Sequence, residues 1–281
     1  MVAHAELSPT AGPEEHHGWS VHDLPFDHID RASVRDDETL FYMLVSASFI
    51  ESGSDLYTRN LIEHYSAFPV VQRWLTEEWE AEELRHGRGL ARYVRVVWPE
   101  YDWDAAFRDF FADYRLLCNS EQLESDRALE LAARCTIEMG TASYYRMLHE
   151  AVREPVLRQL LDNIRCDEVK HFKHFYRYLR SMRTERSISR LRLARCVLKR
   201  TFEMTGDDGW HAFRHAYRHR NAGRAPSRAQ YRQWRKKVRA IARAHFPSRM
   251  AAEMLITPLD LPAGWRRWST RVAAAVIRRA L

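Results

Sequence analysis

Apolar residues recur at helical intervals in four segments of the chain. Within each segment they follow one another in steps of three or four, which is the spacing of one face of an α-helix. The first and third segments carry Leu40, Leu44 and Ala47, then Leu131, Cys135, Ala142 and Tyr145. The second and fourth carry Val71, Leu75, Trp79, Leu90, Val94 and Val97, then Leu157, Leu161, Ile164, Phe175, Leu179 and Met182. The pattern predicts four amphipathic helices packed around a common core, and therefore an all-α fold.

Six polar residues continue these apolar stripes instead of interrupting them. They are Glu51, Glu83, His86, Glu138, Glu168 and His171, with at least one on each predicted helix. All six should therefore point into the core. Burying four ionised carboxylates without countercharge would cost more than the net stability of a domain. Two divalent metal ions would neutralise them, and carboxylates with two imidazoles from four helices are the donors of a carboxylate-bridged two-metal site.

The spacing of these residues repeats in the two halves of the bundle. Glu51 is followed 32 residues later by Glu83, and Glu138 is followed 30 residues later by Glu168. The connections are expected near Ala67 and near 153–154, where Pro69 and Pro155 suit a first helical turn. Each connection is about midway between its two Glu residues, so all four carboxylates should lie at one level of the bundle.

A single Glu-x-x-His sequence is weak support for a metal, because a chain with 14 His produces it by accident. The alternative is that these residues lie on solvated helix faces, which six positions on four apolar stripes disfavour. Glu82 and Asp167 each precede one of the predicted metal-binding Glu residues. A metal-bound His often donates its other N–H to a carboxylate. These two acids are candidates for that role, and the sequence leaves open which His each one serves.

The residues around these positions resemble the soluble acyl-acyl carrier protein desaturases. Residues 79–87 read Trp-Glu-Ala-Glu-Glu-Leu-Arg-His-Gly and are similar to the W-x-A-E-E-x-R-H-G segment of that family. Residues 167–171 resemble its D-E-x-R-H motif, with Lys170 in place of Arg. Tyr57 follows Glu51 by six residues, and Thr141 follows Glu138 by three, as in the family. The resemblance spans roughly residues 35 to 182 and does not extend to the C-terminal helices, so the substrate stays open.

The resemblance implies a ferritin-like four-helix bundle that holds two Fe ions, or Mn ions, through the six residues named above. Glu83 or Glu168 would be among the bridging residues. Such a site uses two electrons, here from a ferredoxin-like donor, and dioxygen to remove hydrogens from an unactivated acyl chain. Thr141 would help manage oxygen and protons. A helical Thr otherwise bonds its own backbone, which is the competing interpretation.

Composition bounds the organisation of the chain. Its 281 residues, 46% hydrophobic, can build one large core or two modest ones. We expect a flexible segment over 1–34, the bundle over 35–184 and a basic helical extension over 185–281. No stretch approaches the length of a membrane span, and the start lacks a secretion signal. Four Cys without a Cys-x-x-Cys pair favour reduced, mostly buried thiols in a cytoplasmic protein.

Charge divides sharply along the chain. After Arg180 there are 24 Lys and Arg against 6 Asp and Glu, whereas the residues up to Arg180 have 20 against 32, for a formal net charge of +6. The basic third should form short helices broken at 206–209, 221–226, 246–247 and 261–262. Its charge suits docking of an acyl carrier protein. Binding of nucleic acid, attachment of Trp265 to Leu281 to an anionic membrane surface, and a merely solvated arginine-rich surface are the alternatives.

The preferred interpretation is a di-iron oxidoreductase that acts on an acyl chain bound to a carrier protein, and that forms a homodimer. A second enzymatic hypothesis applies the same chemistry to another small substrate, by hydroxylation or N-oxygenation. A third hypothesis is iron handling, in which the site oxidises ferrous iron for storage. A fourth is a metal-stabilised scaffold or a nucleic-acid-binding protein.

Overall fold

The computed structural model describes residues 18–118, 123–185, 187–204 and 208–281. Within these ranges the chain forms helices and no strand, which confirms the predicted all-α fold. The α-helices are α1 Glu38–Ser52, α2 Asp55–His64, α3 Pro69–Trp74, α4 Glu80–Val97, α5 Trp103–Tyr114, α6 Arg127–Ala151, α7 Pro155–Glu185, α8 Arg190–Glu203, α9 Asp208–Arg220, α10 Arg228–His245, α11 Ser248–Ile256 and α12 Ala263–Ala280.

Four of these helices form the predicted bundle. Helix α1 packs on α4, α6 packs on α7, and α4 contacts α7. The α6 and α1 sides are joined where the Tyr144 hydroxyl donates to the Met43 carbonyl at 3.1 Å. The two hairpins are linked by α5, which lies outside the bundle and contacts α1 and α4.

The helix ends follow local chemistry. Asp37 caps α1 by accepting a hydrogen bond from the Leu40 amide at 2.9 Å, and Asp126 caps α6 by accepting from the Ala128 amide at 3.1 Å. The predicted connections are confirmed, since Pro69 opens α3 and Pro155 opens α7. One feature was not predicted. Residues Leu75–Trp79 form a π-helical turn between α3 and α4, immediately before the Glu82–His86 segment.

The apolar core consists of two clusters, and the boundary between them falls at the level of the six polar residues. Towards one end of the bundle the four sides contribute Phe49, Leu90, Tyr145 and Ile164. Towards the other end they contribute Leu61, Trp79, Ala142 and Phe172. The polar layer is thus enclosed by apolar packing above and below, which lowers the local dielectric and strengthens every charge interaction within it.

Helices α1 and α4 approach closely beside this layer. A Cβ atom at Gly87 would lie 2.6 Å from the Ser52 Oγ and 2.7 Å from the Ser52 amide nitrogen. The side-chain-free position at 87 therefore lets the backbone that carries Glu51 lie directly against the backbone that carries His86.

Residues 18–34 belong to the segment that was predicted to be flexible, but they are ordered in the structure. Residues 18–34 form three short 3-10 helices that bury Val21, Leu24, Phe26 and Ile29 against the bundle. Their burial offsets the entropic cost of ordering the segment. Residues 1–17 of the predicted segment lie outside the described residues.

Helices α8 to α12 form the basic third. The helix breaks predicted at 221–226, 246–247 and 261–262 are confirmed. Of the break predicted at 206–209, residues 206–207 lie outside the described residues, and α9 already begins at Asp208. Helices α8, α10 and α11 pack on α6, α9 packs on α1 and α5, and α12 packs on α11. The division into domains stays a prediction.

Among the described residues, no helix combines the length and apolar character needed to cross a membrane. None of the four Cys forms a disulfide; Cys135 and Cys196 are buried, Cys118 is partly buried and Cys166 is exposed, so two of the four, and not most of them, are buried.

Candidate metal centre

The fold brings all six sequence-predicted residues together at mid-bundle. Glu51 comes from α1, Glu83 and His86 from α4, Glu138 from α6, and Glu168 and His171 from α7. Each is at most 5% exposed. We call this set the carboxylate–histidine cluster.

The cluster divides into two groups, each of four residues whose donor atoms lie within 4.8 Å of one another. One group is Glu51, Glu83, His86 and Glu168, and the other is Glu83, Glu138, Glu168 and His171. Glu83 and Glu168 belong to both groups. Each group could hold one metal ion, and the two shared carboxylates stand where bridging carboxylates would stand in a two-metal site.

Both histidines turn the Nδ1 atom into the cluster. His86 Nδ1 lies 3.3 Å from Glu168 Oε1, and His171 Nδ1 lies 3.1 Å from Glu83 Oε1. These two nitrogens and Glu168 Oε1 are buried and make no hydrogen bond to the described residues. A buried polar atom without a hydrogen bond destabilises the fold unless another partner, such as a bound ion, interacts with it. Two imidazole nitrogens and a carboxylate oxygen that point at one another without a hydrogen bond are suited to bind a divalent metal ion.

The opposite nitrogen of each imidazole contacts one of the two predicted supporting acids. His86 Nε2 lies 3.1 Å from Asp167 Oδ2, and His171 Nε2 lies 2.9 Å from Glu82 Oε2. The pairing is crossed, because each acid serves the histidine of the other helix. This answers the question that the sequence left open, and it fixes the ring orientation that aims Nδ1 inward.

Cations hold the two supporting acids in their ionised form. Arg85 contacts Asp167 at 3.0 Å and Glu82 at 3.4 Å, and Lys170 pairs with Glu82. Burial alone would raise the pKa of Glu82, but hydrogen bonds from His171 and Lys170 outweigh it and lower the pKa to about 2. Burial likewise opposes ionisation of Asp167, and contacts with His86, Trp19 and Arg85 hold its pKa well below the usual range.

Within the cluster, in contrast, two carboxyl groups have raised pKa values. Burial and repulsion by Glu168 raise the pKa of Glu83 to about 7. Burial and the neighbouring Glu138 and Glu51 raise the pKa of Glu168 to about 8. Carboxylates crowded in a dry core resist carrying charge together. A cation placed among them would reverse this effect.

Three hydroxyl groups donate to the cluster carboxylates. The Thr141 hydroxyl lies 2.6 Å from Glu168 Oε2, and it also lies 3.3 Å and 3.2 Å from the carbonyls of Ile137 and Glu138. Both sequence interpretations of this threonine therefore have a counterpart in the structure. The Tyr57 hydroxyl donates to Glu83 at 3.3 Å, and the Tyr145 hydroxyl donates to Glu51.

Sequence reasoning missed Trp19. Its indole Nε1 donates to Asp167 Oδ2 at 2.9 Å, and its ring is parallel to the His86 imidazole with centroids 6.2 Å apart. Arg85 lies over the same indole at 5.0 Å. Trp19 belongs to the segment predicted to be flexible, and no periodic pattern marks it. Arg85 and Lys170 were visible in the motifs, although their contacts with the two acids were not.

Comparison with known proteins gives one relationship. The chain is similar to the Mycobacterium tuberculosis protein named "Putative acyl-(acyl-carrier-protein) desaturase DesA2", in two strains, with 32% identity over 116 residues. The match covers 40% of this chain and 40% of the relative, so the chain spans well under half the length of the curated relatives that it matches. No protein-family model matches the chain. No solved structure matches it.

Proposed function

We propose that the protein is a di-iron oxidoreductase that uses dioxygen to oxidise an acyl chain carried by an acyl carrier protein. The observation that carries the proposal is the pair of four-residue groups that share Glu83 and Glu168. Similarity to a protein named as a desaturase supports the substrate class.

In this proposal Glu51, Glu83, His86 and Glu168 hold one iron, and Glu83, Glu138, Glu168 and His171 hold the other. Six residues thus supply four carboxylates, which balance two Fe²⁺ ions. The inward Nδ1 atoms of both histidines support this assignment, because they are buried and have no hydrogen-bond partner among the described residues. Mn²⁺ would suit the same donors.

Bound iron would supply the chemistry that couples two electrons and dioxygen to removal of hydrogen from an unactivated carbon chain. The protein itself would hold protons at defined atoms and exclude water from the cluster. Asp167 and Glu82 keep protons on the Nε2 atoms, which leaves the Nδ1 lone pairs available. Thr141 holds a hydroxyl proton on Glu168 Oε2 at 2.6 Å. The Trp19 ring lies parallel to the His86 imidazole, with centroids 6.2 Å apart.

We place the carrier-docking surface on α10. Arg235, Lys236, Lys237 and Arg239 are exposed on this helix, whereas its apolar residues, among them Trp234 and Val238, pack against the first core cluster. A helix that exposes several cations and carries no acidic residue is suited to an acidic carrier protein, since charge complementarity accelerates encounter. Reversal of these four residues to Glu should weaken carrier binding in a salt-sensitive way and leave bound metal unchanged.

The decisive experiment reconstitutes the protein with ferrous iron, a reduced ferredoxin and dioxygen, and supplies saturated acyl chains on acyl carrier protein. Mass spectrometry of the acyl product should show loss of two hydrogens. Gain of one oxygen atom would assign hydroxylation instead. Absence of any acyl product, together with oxidation of many irons per chain, would overturn the proposal in favour of iron handling. A Glu83→Ala variant is the inactive control.

A further inference from the structure

Helix α12 exposes a continuous apolar stripe. Trp265, Trp268, Val272 and Val276 follow one another at intervals of three and four residues, and are 64%, 58%, 42% and 60% exposed. The two indole rings lie 6.0 Å apart and nearly perpendicular. On the opposite face Ala274 is buried and Ile277 packs against the second core cluster, so the helix is anchored with its apolar stripe outward.

Arginines flank this stripe. The helix carries Arg266, Arg267, Arg271, Arg278 and Arg279 and no acidic residue. At about 100° per residue, Arg266 falls on one side of the stripe, and Arg267, Arg271 and Arg278 fall on the other. All of these are exposed, and none forms a salt bridge with the described residues. Arg249 and Glu253 of α11, which form a salt bridge with each other, and four of the α12 arginines line a groove of about 570 Å³ between the two helices.

The comparison with α10 shows that this layout is not a general property of the basic third. Tyr231, Trp234, Val238 and Ile241 of α10 are turned towards the first core cluster, and the exposed positions of this helix hold cations, Gln and Ala but no large apolar side chain. In α12 the large apolar residues and the cations are both exposed. Exposed tryptophans with lateral arginines are the arrangement of helices that lie in a membrane interface, with rings among the acyl chains and guanidinium groups at the phosphates.

We propose that α12 docks the protein on an anionic phospholipid bilayer. Trp265, Trp268, Val272 and Val276 enter the interface, and Arg266, Arg267, Arg271 and Arg278 bind lipid phosphates along the groove. Charge decides between this occupant and a second copy of the chain. Apposing two α12 stripes would bring ten arginines together with no acid on either helix, whereas an anionic bilayer neutralises them.

Vesicle sedimentation at physiological salt tests the proposal with two lipid compositions, phosphatidylcholine alone and phosphatidylcholine mixed with phosphatidylglycerol at about two to one. The wild-type protein should sediment with the anionic vesicles and stay in solution with the neutral ones. Arg267→Gln/Arg271→Gln/Arg278→Gln should weaken binding about a hundredfold. Trp265→Ser/Trp268→Ser should weaken it at least about thirtyfold, because both rings lose apolar burial.

Two matched control variants remove the same kinds of side chain from surfaces outside α12. Arg73→Gln/Arg153→Gln/Arg180→Gln removes three exposed arginines from the bundle, and Val70→Ser/Leu116→Ser removes two exposed apolar side chains. Both should bind vesicles within about threefold of wild type. Unchanged iron content and circular dichroism would establish that each variant is folded.

Three results would overturn the proposal. One is wild-type protein that remains in solution with anionic vesicles. Another is a bundle-arginine control that loses as much affinity as the α12 arginine variant, which would reduce the effect to overall charge. The last is a Trp265→Ser/Trp268→Ser variant that binds vesicles normally but changes from dimer to monomer in sedimentation velocity, which would make the stripe a contact between copies.

Discussion

Replacing Glu82 with Gln tests whether the crossed acids hold the cluster in place. The substitution keeps the shape of the side chain and removes its charge. It deprives His171 Nε2 of a carboxylate at 2.9 Å and leaves Lys170 and Arg85 without one of their partners. The side chain is 7% exposed, so water cannot readily compensate.

The magnitude follows from the pKa of Glu82, which the hydrogen bonds from His171 and Lys170 lower from 4.5 to about 2 against the opposing effect of burial. At about 1.4 kcal/mol per unit, this shift corresponds to about 3 kcal/mol of stabilisation of the folded, metal-free protein. Because the pKa is lowered on folding, this stabilisation is present above pH 4.5 and is lost as the pH falls towards 2. Glu82→Gln should therefore reduce the free energy of unfolding by about 3 kcal/mol at pH 7, and by progressively less in acid.

Urea unfolding of the metal-free proteins measures this difference, and titration with ferrous iron measures the effect on the site. Loss of a supporting carboxylate should weaken metal binding by about 10- to 100-fold. Glu78→Gln is the control, because Glu78 is exposed in the π-helical turn just before α4. If Glu82→Gln unfolds within about 0.5 kcal/mol of wild type at pH 7 and binds iron equally well, the reasoning is refuted.

Two further predictions address the centre. Thr141→Val should leave iron content nearly unchanged and alter the rate at which the reduced protein reacts with dioxygen, followed by stopped-flow absorbance; an unchanged rate would remove Thr141 from the mechanism. The metal-free protein should lose stability as the pH rises from about 4.5 to about 8 and should change little above that range, because Glu83 and Glu168, with pKa values of about 7 and about 8, keep protons that the unfolded chain has already released. Thermal melting with a chelator should show this loss and melting with bound iron should not; equal slopes would contradict it.

The bundle and its six cluster residues were predictable because each lies on a periodic stripe. Glu83, His86, Glu168 and His171 continue the spacing of apolar neighbours, and a helix has only one face that can hold such a series. Burial therefore followed from the pattern. The level of the four carboxylates also followed, since Pro69 and Pro155 located the two connections.

The remaining parts of the centre depend on contacts between elements that periodicity does not encode. Trp19 reaches Asp167 from a segment without a repeat, so only tertiary packing could reveal it. The crossing of Glu82 to His171 and of Asp167 to His86 depends on how α4 and α7 are offset and rotated. Likewise, the sequence shows that α10 and α12 are both basic and amphipathic, but only packing decides which of them buries its apolar face.

The most direct test is the iron content of reconstituted protein, measured by elemental analysis for wild type, Glu83→Ala and the Glu78→Gln control. Glu83 belongs to both four-residue groups, so its loss should disturb both metal positions at once. We expect about two irons per chain in wild type and in the control, and fewer than about one in Glu83→Ala. Wild-type protein that holds no iron, or a Glu83→Ala variant that keeps two irons, would contradict the two-metal centre.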